Sequence, residues 1–133
     1  MHISTIILDT NEYIYGLGGT KKECEDLINR LPNFNVKVPR IILNELYNNL
    51  GDNLIKDLYR LLRFTEAEII EKKVPISLID KYKVPYEDAV IASYCEYLKV
   101  DALISENRHF LIDFHPKSFK IFSAHDFLKS GLA

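Results

Sequence analysis

The sequence predicts an α/β fold in which helices cover both faces of a central parallel sheet. Short apolar runs alternate along the chain with longer segments whose apolar residues recur at helical spacing. Strands that alternate with helices are typical of parallel sheets, which are buried on both faces. With 133 residues, of which 47% are hydrophobic, the chain is long enough to bury one such core. We therefore expect a single domain over residues 1–133, with three layers, α/β/α, and a sheet of about four to five strands.

The chain begins with a predicted strand at residues 2–8, which ends in a continuous apolar run. A first helix is expected to begin after Asp9, and the glycine-rich residues 16–19 interrupt it. Thr20 and Glu23 have capping-box spacing, so Thr20 is expected to cap a second helix that reaches about residue 30. The first strand is thus followed by two helices.

The middle of the chain repeats this alternation. Residues 35–38 predict a short strand, and Pro39 suits the first turn of a helix through residue 50. Asp52 is expected to cap a further helix to about residue 64. Residues 67–74 are ambiguous and are interpreted as a short strand or an extended link.

The last part of the chain contains the most apolar predicted helix. Residues 75–82 predict a short helix, and Pro85 separates it from a longer helix at residues 86–98. The middle of the longer helix is almost entirely apolar, which predicts burial on most of its sides. The remaining predicted elements are two strands and a terminal helical turn, at residues 102–105, 118–122 and 126–129.

Composition and charge favour an ordinary cytoplasmic protein. No apolar run approaches the ~20 residues that a membrane helix needs, and the first residues lack the pattern of a signal peptide. Cys24 and Cys95 are widely spaced and are interpreted as free thiols. The net charge of −2 argues against a dedicated nucleic-acid binding module, because such binding depends on phosphate contacts. It does not exclude an enzyme whose acids cluster at a metal site.

Asp9 gives the strongest indication of function. It directly follows a buried strand, and ligands of open α/β sheets bind at the carboxyl ends of the strands. An unpaired buried carboxylate is costly, so Asp9 is expected to face a cation or hydrogen-bond donors. The alternative is that Asp9, followed by Thr10 and Asn11, simply caps the first helix.

Two further acids have contexts that could bring them to the same place. Glu45 lies at the edge of the apolar face of its predicted helix, although a surface Glu there would also be ordinary. Asp88 and Glu87 begin the long apolar helix, where either carboxylate would also be stabilised by the helix dipole. Helical spacing does not decide which of the two points into the site. Together the acids predict a carboxylate-lined metal site.

Four segments in order resemble the PIN domain, the fold of many metal-dependent ribonucleases. Within that family the length is similar to VapC-type toxin ribonucleases and small stand-alone relatives. The resemblance covers nearly the whole chain. The matching segments are Ile-Leu-Asp-Thr-Asn at residues 7–11, Ile-Leu-Asn-Glu-Leu at 42–46, Asp-Ala-Val-Ile-Ala at 88–92 and Ala-Leu-Ile-Ser-Glu-Asn-Arg-His-Phe at 102–110.

The resemblance implies a set of metal ligands in this sequence. The first three metal-binding acids of the family correspond to Asp9, Glu45 and Asp88, and this selects Asp88 over Glu87. The fourth acid corresponds to Asn107, where an amide replaces a carboxylate. An amide oxygen can bind Mg²⁺ but brings no charge. Glu106 could substitute if the loop turned differently.

The polar neighbours of these positions have expected roles too. Thr10, Asn11 and Ser105 match positions that steady the carboxylates, although capping and turn formation would explain the same residues. Arg40 and Arg108 are the leading expected contacts to the phosphates of the substrate. Lys37, Lys117 and Lys120 are further candidates, and the histidines have no spacing that predicts a zinc site.

The resemblance implies a ribonuclease that uses Mg²⁺ or Mn²⁺ and leaves a 5′ phosphate and a 3′ hydroxyl. Its expected partners are an RNA substrate, an antitoxin protein if the chain is a toxin, and a second copy in a homodimer. No membrane partner is expected. The main alternative is a PIN-like module that binds RNA or protein without turnover, and Asn107 keeps this alternative open. A phosphatase of the dehalogenase type is disfavoured, because residue 11 is Asn where a second Asp is typical.

Overall fold

The computed structural model describes residues 2–131 and contains one parallel sheet. Its five strands lie in the spatial order third, second, first, fourth, fifth. All four neighbouring pairs are parallel. The predicted parallel sheet is therefore confirmed. The strands are β1 (Thr5–Leu8), β2 (Asn35–Pro39), β3 (Glu68–Ile70), β4 (Ala102–Ile104) and β5 (Lys120–Phe122).

Helices flank the sheet and give the predicted three-layer α/β/α arrangement. A 3₁₀ turn at Leu31–Asn33 and a π-helical turn at His109–Asp113 supplement them, and neither turn is evident in the sequence pattern. The helices are α1 (Thr10–Leu17), α2 (Lys22–Arg30), α3 (Arg40–Asn49), α4 (Asp52–Thr65), α5 (Ile76–Asp80), α6 (Tyr86–Tyr97) and α7 (Ala124–Lys129).

The strand order creates a switch point beside the central strand β1. The chain runs outward from β1 through β2 to β3, and then returns to pair β4 with the other side of β1. Right-handed crossovers place the helices that connect strands before this reversal and those that connect β3 to β4 on opposite faces. Consistent with this, α1 packs against α2, α3 and α4, whereas α5 packs against α6. Helix α7 follows the last strand and packs against α2. Ligands of such sheets bind where the order reverses, outside the carboxyl ends of the strands.

Apolar strands and the helix α6 form the core. Ile6, Ile7 and Leu8 in β1 are at most 1% exposed, because helices cover both faces of the strand. In α6 every residue from Ala89 to Cys95 is buried, as its apolar middle predicts. The buried α6 also fixes the position of the acids in its first turn.

The first strand is shorter than predicted. It begins at Thr5 and not at residue 2. The Asp101 carboxylate accepts hydrogen bonds from the backbone N–H groups of Ser4 and Thr5, both at 3.0 Å. At this end the Asp101 side chain accepts hydrogen bonds that a neighbouring strand would otherwise accept. Regular pairing of β1 with β4 begins at Ile6.

The predicted capping box at Thr20 is wrong. Helix α2 begins at Lys22 after Lys21, and no side chain caps its N-terminus. Thr20 instead closes the end of α1, because its backbone N–H and its hydroxyl both donate to the carbonyl of Tyr15. Gly19 has a φ of +67°, which permits the reversal between the two helices.

Several other element ends differ from the predicted ones by one or two residues. Pro39 is the last residue of β2 and precedes α3, and Gly51, not Asp52, precedes α4. In the ambiguous segment only Glu68–Ile70 forms a strand. Helix α7 begins at Ala124, earlier than predicted, because the Ser123 hydroxyl accepts from the N–H of Asp126. The order and type of the strands and α-helices remain as predicted.

Candidate functional site

Asp9 lies at the carboxyl end of β1 and is 8% exposed. It precedes α1, and its Oδ1 accepts from the backbone N–H of Thr10 at 2.8 Å. Its Oδ2 accepts from the hydroxyl of Ser105 at 2.8 Å, directly after the neighbouring strand β4. Asp9 therefore caps the helix and also faces the switch point, so the two interpretations of this residue are compatible.

Thr10 links Asp9 to Glu45. While its N–H contacts Asp9, its hydroxyl donates to Oε2 of Glu45 at 3.0 Å. Glu45 lies on α3, where it is half-buried at the edge of the face that packs into the core. The structure therefore places Glu45 at the edge of the buried helix face, as the apolar pattern of this helix predicts.

Asn107 links the other half of the site. Its backbone N–H donates to the Ser105 hydroxyl at 3.0 Å, and its Nδ2 donates to Oδ1 of Asp88 at 3.2 Å. Asp88 is half-buried in the first turn of α6, whereas the neighbouring Glu87 is exposed. A continuous chain of contacts thus joins six residues, which we call the Asp9 cluster: Asp9, Thr10, Glu45, Asp88, Ser105 and Asn107.

Burial and mutual repulsion act on the acids of the Asp9 cluster. Burial raises the pKa of Asp9, Glu45 and Asp88 above the ordinary range of each group. Hydrogen bonds from Ser105 and Thr10 oppose this shift at Asp9, while the charge of Asp88 adds to it. The charges of Asp9 and Asp88 likewise raise the pKa of Glu45. A cation among these groups would relieve the repulsion and reverse the shifts.

The donor set fits a hard divalent cation. Carboxylate oxygens are the preferred ligands of Mg²⁺, and Thr10, Ser105 and Asn107 connect the three acids through hydrogen bonds. Among residues 2–131 the ligand oxygens of Asp9, Glu45 and Asp88 do not all lie within 4.8 Å of one another, so a shared ion would draw these side chains closer together. Asn107 presents its amide nitrogen to Asp88, and its oxygen accepts from the N–H of His109 at 2.9 Å. Glu106 does not join this group, because its Oε2 accepts from the N–H of Ala124 at 2.9 Å.

The remaining predicted site residues lie outside the chain of contacts. Within residues 2–131 the exposed side chain of Asn11 makes no hydrogen bond. Arg40 pairs with both carboxylate oxygens of Glu71, so its charge is already compensated. Arg108 is exposed and, among the described residues, forms no ion pair. Lys37 pairs with Glu68 at 2.6 Å.

A second group of possible metal ligands lies near the Asp9 cluster, and no residue pattern in the sequence predicts it. Glu12, Cys24 and Glu106 each offer a ligand atom within 4.8 Å of the other two, and we call them the Glu12 cluster. The Cys24 thiol donates to Oε2 of Glu12 at 2.9 Å. Burial, and then the nearby carboxyl group of Glu106, raise the pKa of Glu12 to about 9.

Comparisons with known proteins support the fold. No family model matches the sequence, and no curated protein matches it. Among solved structures, a chain of the crystal structure of VapBC2 from Rickettsia felis, bound to a DNA fragment from their promoter, is similar with a TM-score of 0.61. The two chains are 19% identical, and the match covers 88% of this chain and 96% of that one. The similarity and the parallel five-stranded sheet together show a PIN-like fold.

Among the helices between residues 2 and 131, none has both the length and the apolar character needed to span a membrane.

Proposed function

We propose that the chain is a metal-dependent endoribonuclease that hydrolyses RNA phosphodiester bonds at the Asp9 cluster. The observation that supports this most is the continuous chain of contacts that joins Asp9, Glu45 and Asp88 where β1 and β4 end. Carboxylates gathered in this way, each with a raised pKa, are typical of sites that hold a divalent cation. The PIN-like fold is consistent with this chemistry.

Each residue of the Asp9 cluster has a distinct role in this proposal. Asp9, Glu45 and Asp88 would hold Mg²⁺ or Mn²⁺, and Asn107 would add an amide oxygen or orient Asp88. Thr10 and Ser105 hold the carboxylates of Glu45 and Asp9 in place through their hydroxyls. When bound, the ion supplies positive charge that activates water for attack on phosphorus and stabilises the leaving oxygen.

Substrate binding would depend on nearby cations. Arg108 directly follows Asn107 and is exposed, so its guanidinium is available to a phosphate group beside the acids. Arg40 would contribute only after exchanging its contact with Glu71 for one with RNA. We expect Arg108→Ala to raise the KM for RNA more than it lowers kcat, because it removes binding but leaves the acids in place.

Cleavage assays with matched variants test the proposal. Structured and single-stranded RNAs are incubated with the wild-type chain, with Asp9→Asn and with Asp57→Asn, in Mg²⁺, Mn²⁺ or EDTA. Asp57 lies on the surface of α4, so its variant controls for an Asp-to-Asn change away from the site. We expect metal-dependent cleavage by the wild type and by Asp57→Asn alone. Equal cleavage by all three chains would indicate a contaminating nuclease. If the wild-type chain cleaved no RNA under any condition, the proposed ribonuclease activity would be rejected.

We further propose that the chain is the toxin of a toxin–antitoxin pair in the cytoplasm, with an antitoxin protein as partner and a homodimer as its assembly. The similar fold in the VapBC2 structure supports this role. Induced expression of the wild type is expected to arrest growth, and Asp9→Asn is expected not to. If both chains arrest growth equally, the arrest does not come from the Asp9 cluster.

A PIN-like module without turnover is the second candidate function. Asn107 favours it, because an amide stands where the family has its fourth acid and already donates to Asp88. Such a module would bind RNA equally well with or without metal and would not cleave it. Gel-shift measurements in EDTA and in Mn²⁺, beside the cleavage assay, separate the two functions.

A further inference from the structure

We propose that the Glu12 cluster is a second metal site, which takes a thiophilic divalent ion such as Zn²⁺ and differs in chemistry from the Asp9 cluster. The site would use the sulfur of Cys24 and carboxylate oxygens of Glu12 and Glu106. This inference is independent of the proposed nuclease activity, because none of these three side chains belongs to the Asp9 cluster.

The ligand atoms already have nearly the right separation. The three groups offer atoms that all lie within 4.8 Å of one another, and the sulfur of Cys24 is 2.9 Å from Oε2 of Glu12. Ligand atoms around zinc lie roughly 3 to 4 Å apart, given bonds of about 2.0 Å to oxygen and about 2.3 Å to sulfur. Small side-chain shifts would therefore suffice to close the site.

A buried oxygen atom of Glu12 supports the presence of a ligand at this site. Glu12 is completely buried, and while Glu12 and Glu106 are both ionised its Oε1 has no hydrogen-bond partner among residues 2–131. A protonated Glu12 would donate to Glu106 instead, which raises the pKa of Glu12. Buried polar atoms almost always have a partner, so this oxygen needs an explanation. A cation held between Glu12, Cys24 and Glu106 would supply the missing partner and would also balance the charge of the carboxylates.

The ligand types select the class of ion. Thiolate sulfur with carboxylate oxygen suits Zn²⁺, whereas Mg²⁺ takes oxygen ligands alone. Cys24 is completely buried and Glu106 is half-buried, so the side of the site near Glu106 leaves room for water as a further ligand. The histidines of the sequence play no part, which is why their spacing gave no indication of zinc.

The position of the site suggests what it would do. Glu12 belongs to α1, Cys24 to α2, and Glu106 to the loop after β4, where its other contact is the first residue of α7. A shared ion would therefore tie together segments that are distant in sequence. Glu106 lies between Ser105 and Asn107, so the ion would also fix the loop that carries half of the Asp9 cluster.

Cobalt binding tests the proposal with a signal that the Asp9 cluster cannot give. Co²⁺ bound to thiolate has a sulfur-to-metal charge-transfer band in the near ultraviolet, and oxygen ligands alone do not produce it. The whole metal-free chain is titrated with Co²⁺ under reducing conditions. We expect the band to appear, to persist in excess Mg²⁺ and to disappear when Zn²⁺ is added.

Four variants assign the band. Cys24→Ala is expected to abolish it, whereas Cys95→Ala and Asp9→Asn are expected to retain it. Glu12→Gln keeps the size and hydrogen bonding of the side chain, and we expect it to weaken Co²⁺ binding by at least about tenfold. Circular dichroism verifies that each variant is folded. Should Cys24→Ala not fold, the decision rests on the wild-type chain and on Glu12→Gln.

Two outcomes would overturn the proposal. One is a wild-type chain that gives no band at any Co²⁺ concentration, which would leave the Glu12 cluster as a hydrogen-bonded group of protonated side chains. The other is a band that survives in Cys24→Ala and is lost in Cys95→Ala. Neither outcome bears on RNA cleavage, so failure of this site and failure of the proposed nuclease are distinguishable.

Discussion

At the scale of single residues, Asn107 connects Ser105 and Asp88 within the Asp9 cluster. Its amide donates to Asp88 and accepts from His109, while its backbone donates to Ser105. An Asp at this position would accept from His109 equally well, but it would place a second negative charge against Asp88. The amide therefore stabilises the metal-free site at the cost of one charged ligand.

Asn107→Asp should make the chain more dependent on metal. Without metal, we expect the repulsion with Asp88 to lower the free energy of unfolding by about 1–2 kcal/mol, equivalent to a pKa shift of about one unit. With Mn²⁺ we expect the variant to be more stable than the wild type, because the new carboxylate binds the ion. Thermal unfolding in EDTA and in Mn²⁺ measures both effects. A variant less stable than the wild type in both conditions would show that residue 107 does not face the ion.

The residues of the candidate site differ in how well the sequence predicts them. Asp9 is predictable because a polar residue that ends a buried strand is conspicuous. The start of the apolar helix predicts an acid there, but only the resemblance to the PIN domain selects Asp88 over Glu87. Glu12 is not predictable, because Glu is almost never fully buried unless it is paired. Its burial arises from the approach of α2, which no local pattern of α1 reveals.

At the scale of elements, Gly16 sets the distance between α1 and α2. A Cβ atom at this position would clash with the side chain of Ile28 and would lie 2.9 Å from the carbonyl oxygen of Cys24. The absence of a side chain therefore allows α2 to approach α1 closely enough for Cys24 to contact Glu12.

Gly16→Ala is expected to destabilise the chain by about 1–3 kcal/mol, because the helices must separate to admit the methyl group. The higher helix propensity of Ala offsets part of this loss. Gly51→Ser is the matched control, since nothing lies within 4 Å of an added Cβ and Ser is a good cap for α4. Chemical denaturation measures both variants, and equal stability of the two would refute the close packing at Gly16.

Asp101 fastens the beginning of β1 to the beginning of β4. Hydrogen bonds from the backbone of Thr5 and Ser4 lower the pKa of its carboxyl group. A carboxyl whose pKa falls on folding stabilises the folded chain above its unfolded pKa, near ~3.9. The stabilisation is lost as the pH falls through the lower pKa of the folded state.

Asp101→Asn should therefore destabilise the chain by about 1–2 kcal/mol at neutral pH, in line with hydrogen bonds to a charged group. The difference from the wild type should shrink below about pH 4, where the native carboxyl also becomes neutral. Asp57→Asn, whose ion pair with Arg60 is exposed, should change stability by less than about 0.5 kcal/mol at any pH. Urea unfolding between pH 2 and 7 measures this, and a difference that does not depend on pH would exclude a role for the charge.

The elements themselves follow largely from the sequence, and their ends do so less well. Alternating apolar runs are sufficient to predict the α-helices, including the burial of α6, and every strand except β3, whose segment was ambiguous. The ends depend on contacts with distant residues, such as Asp101 at the start of β1. The cap assigned to Thr20 failed for a similar reason, since the side chain serves the preceding helix.

At the scale of the whole molecule, the strand order is what brings the acids together. The sequence predicts parallel strands, but it does not specify that β4 pairs with β1 and not with β3. That pairing places Ser105 beside Asp9 although 96 residues separate them. The contexts of the acids favour a shared site without specifying this pairing, and the resemblance to the PIN domain adds the assignment of individual residues. The geometry of the sheet is consistent with both.

A divalent ion at the Asp9 cluster should stabilise the whole chain. At a free ion concentration of about ten times the dissociation constant, binding raises the free energy of unfolding by about 1.4 kcal/mol. This corresponds to an increase of roughly 3–6 °C in melting temperature for a chain of this size. We expect Mg²⁺ to produce this shift in the wild type and not in Asp9→Asn. Asp9→Asn should be more stable than the wild type in EDTA, because it removes a buried charge whose pKa is raised. A differential scan without any shift in millimolar Mg²⁺ would count against the site.

The pairing of β1 with β4 also determines when the Asp9 cluster can assemble during synthesis of the chain. Translation at about 5–20 residues per second takes roughly 5 to 20 s to proceed from residue 9 to residue 105. Until then the central strand lacks one of its two neighbours, and Asp9 lacks the hydroxyl that orients it. A ribosome-bound fragment that ends before β4 therefore cannot assemble the Asp9 cluster, however well its first three strands have folded.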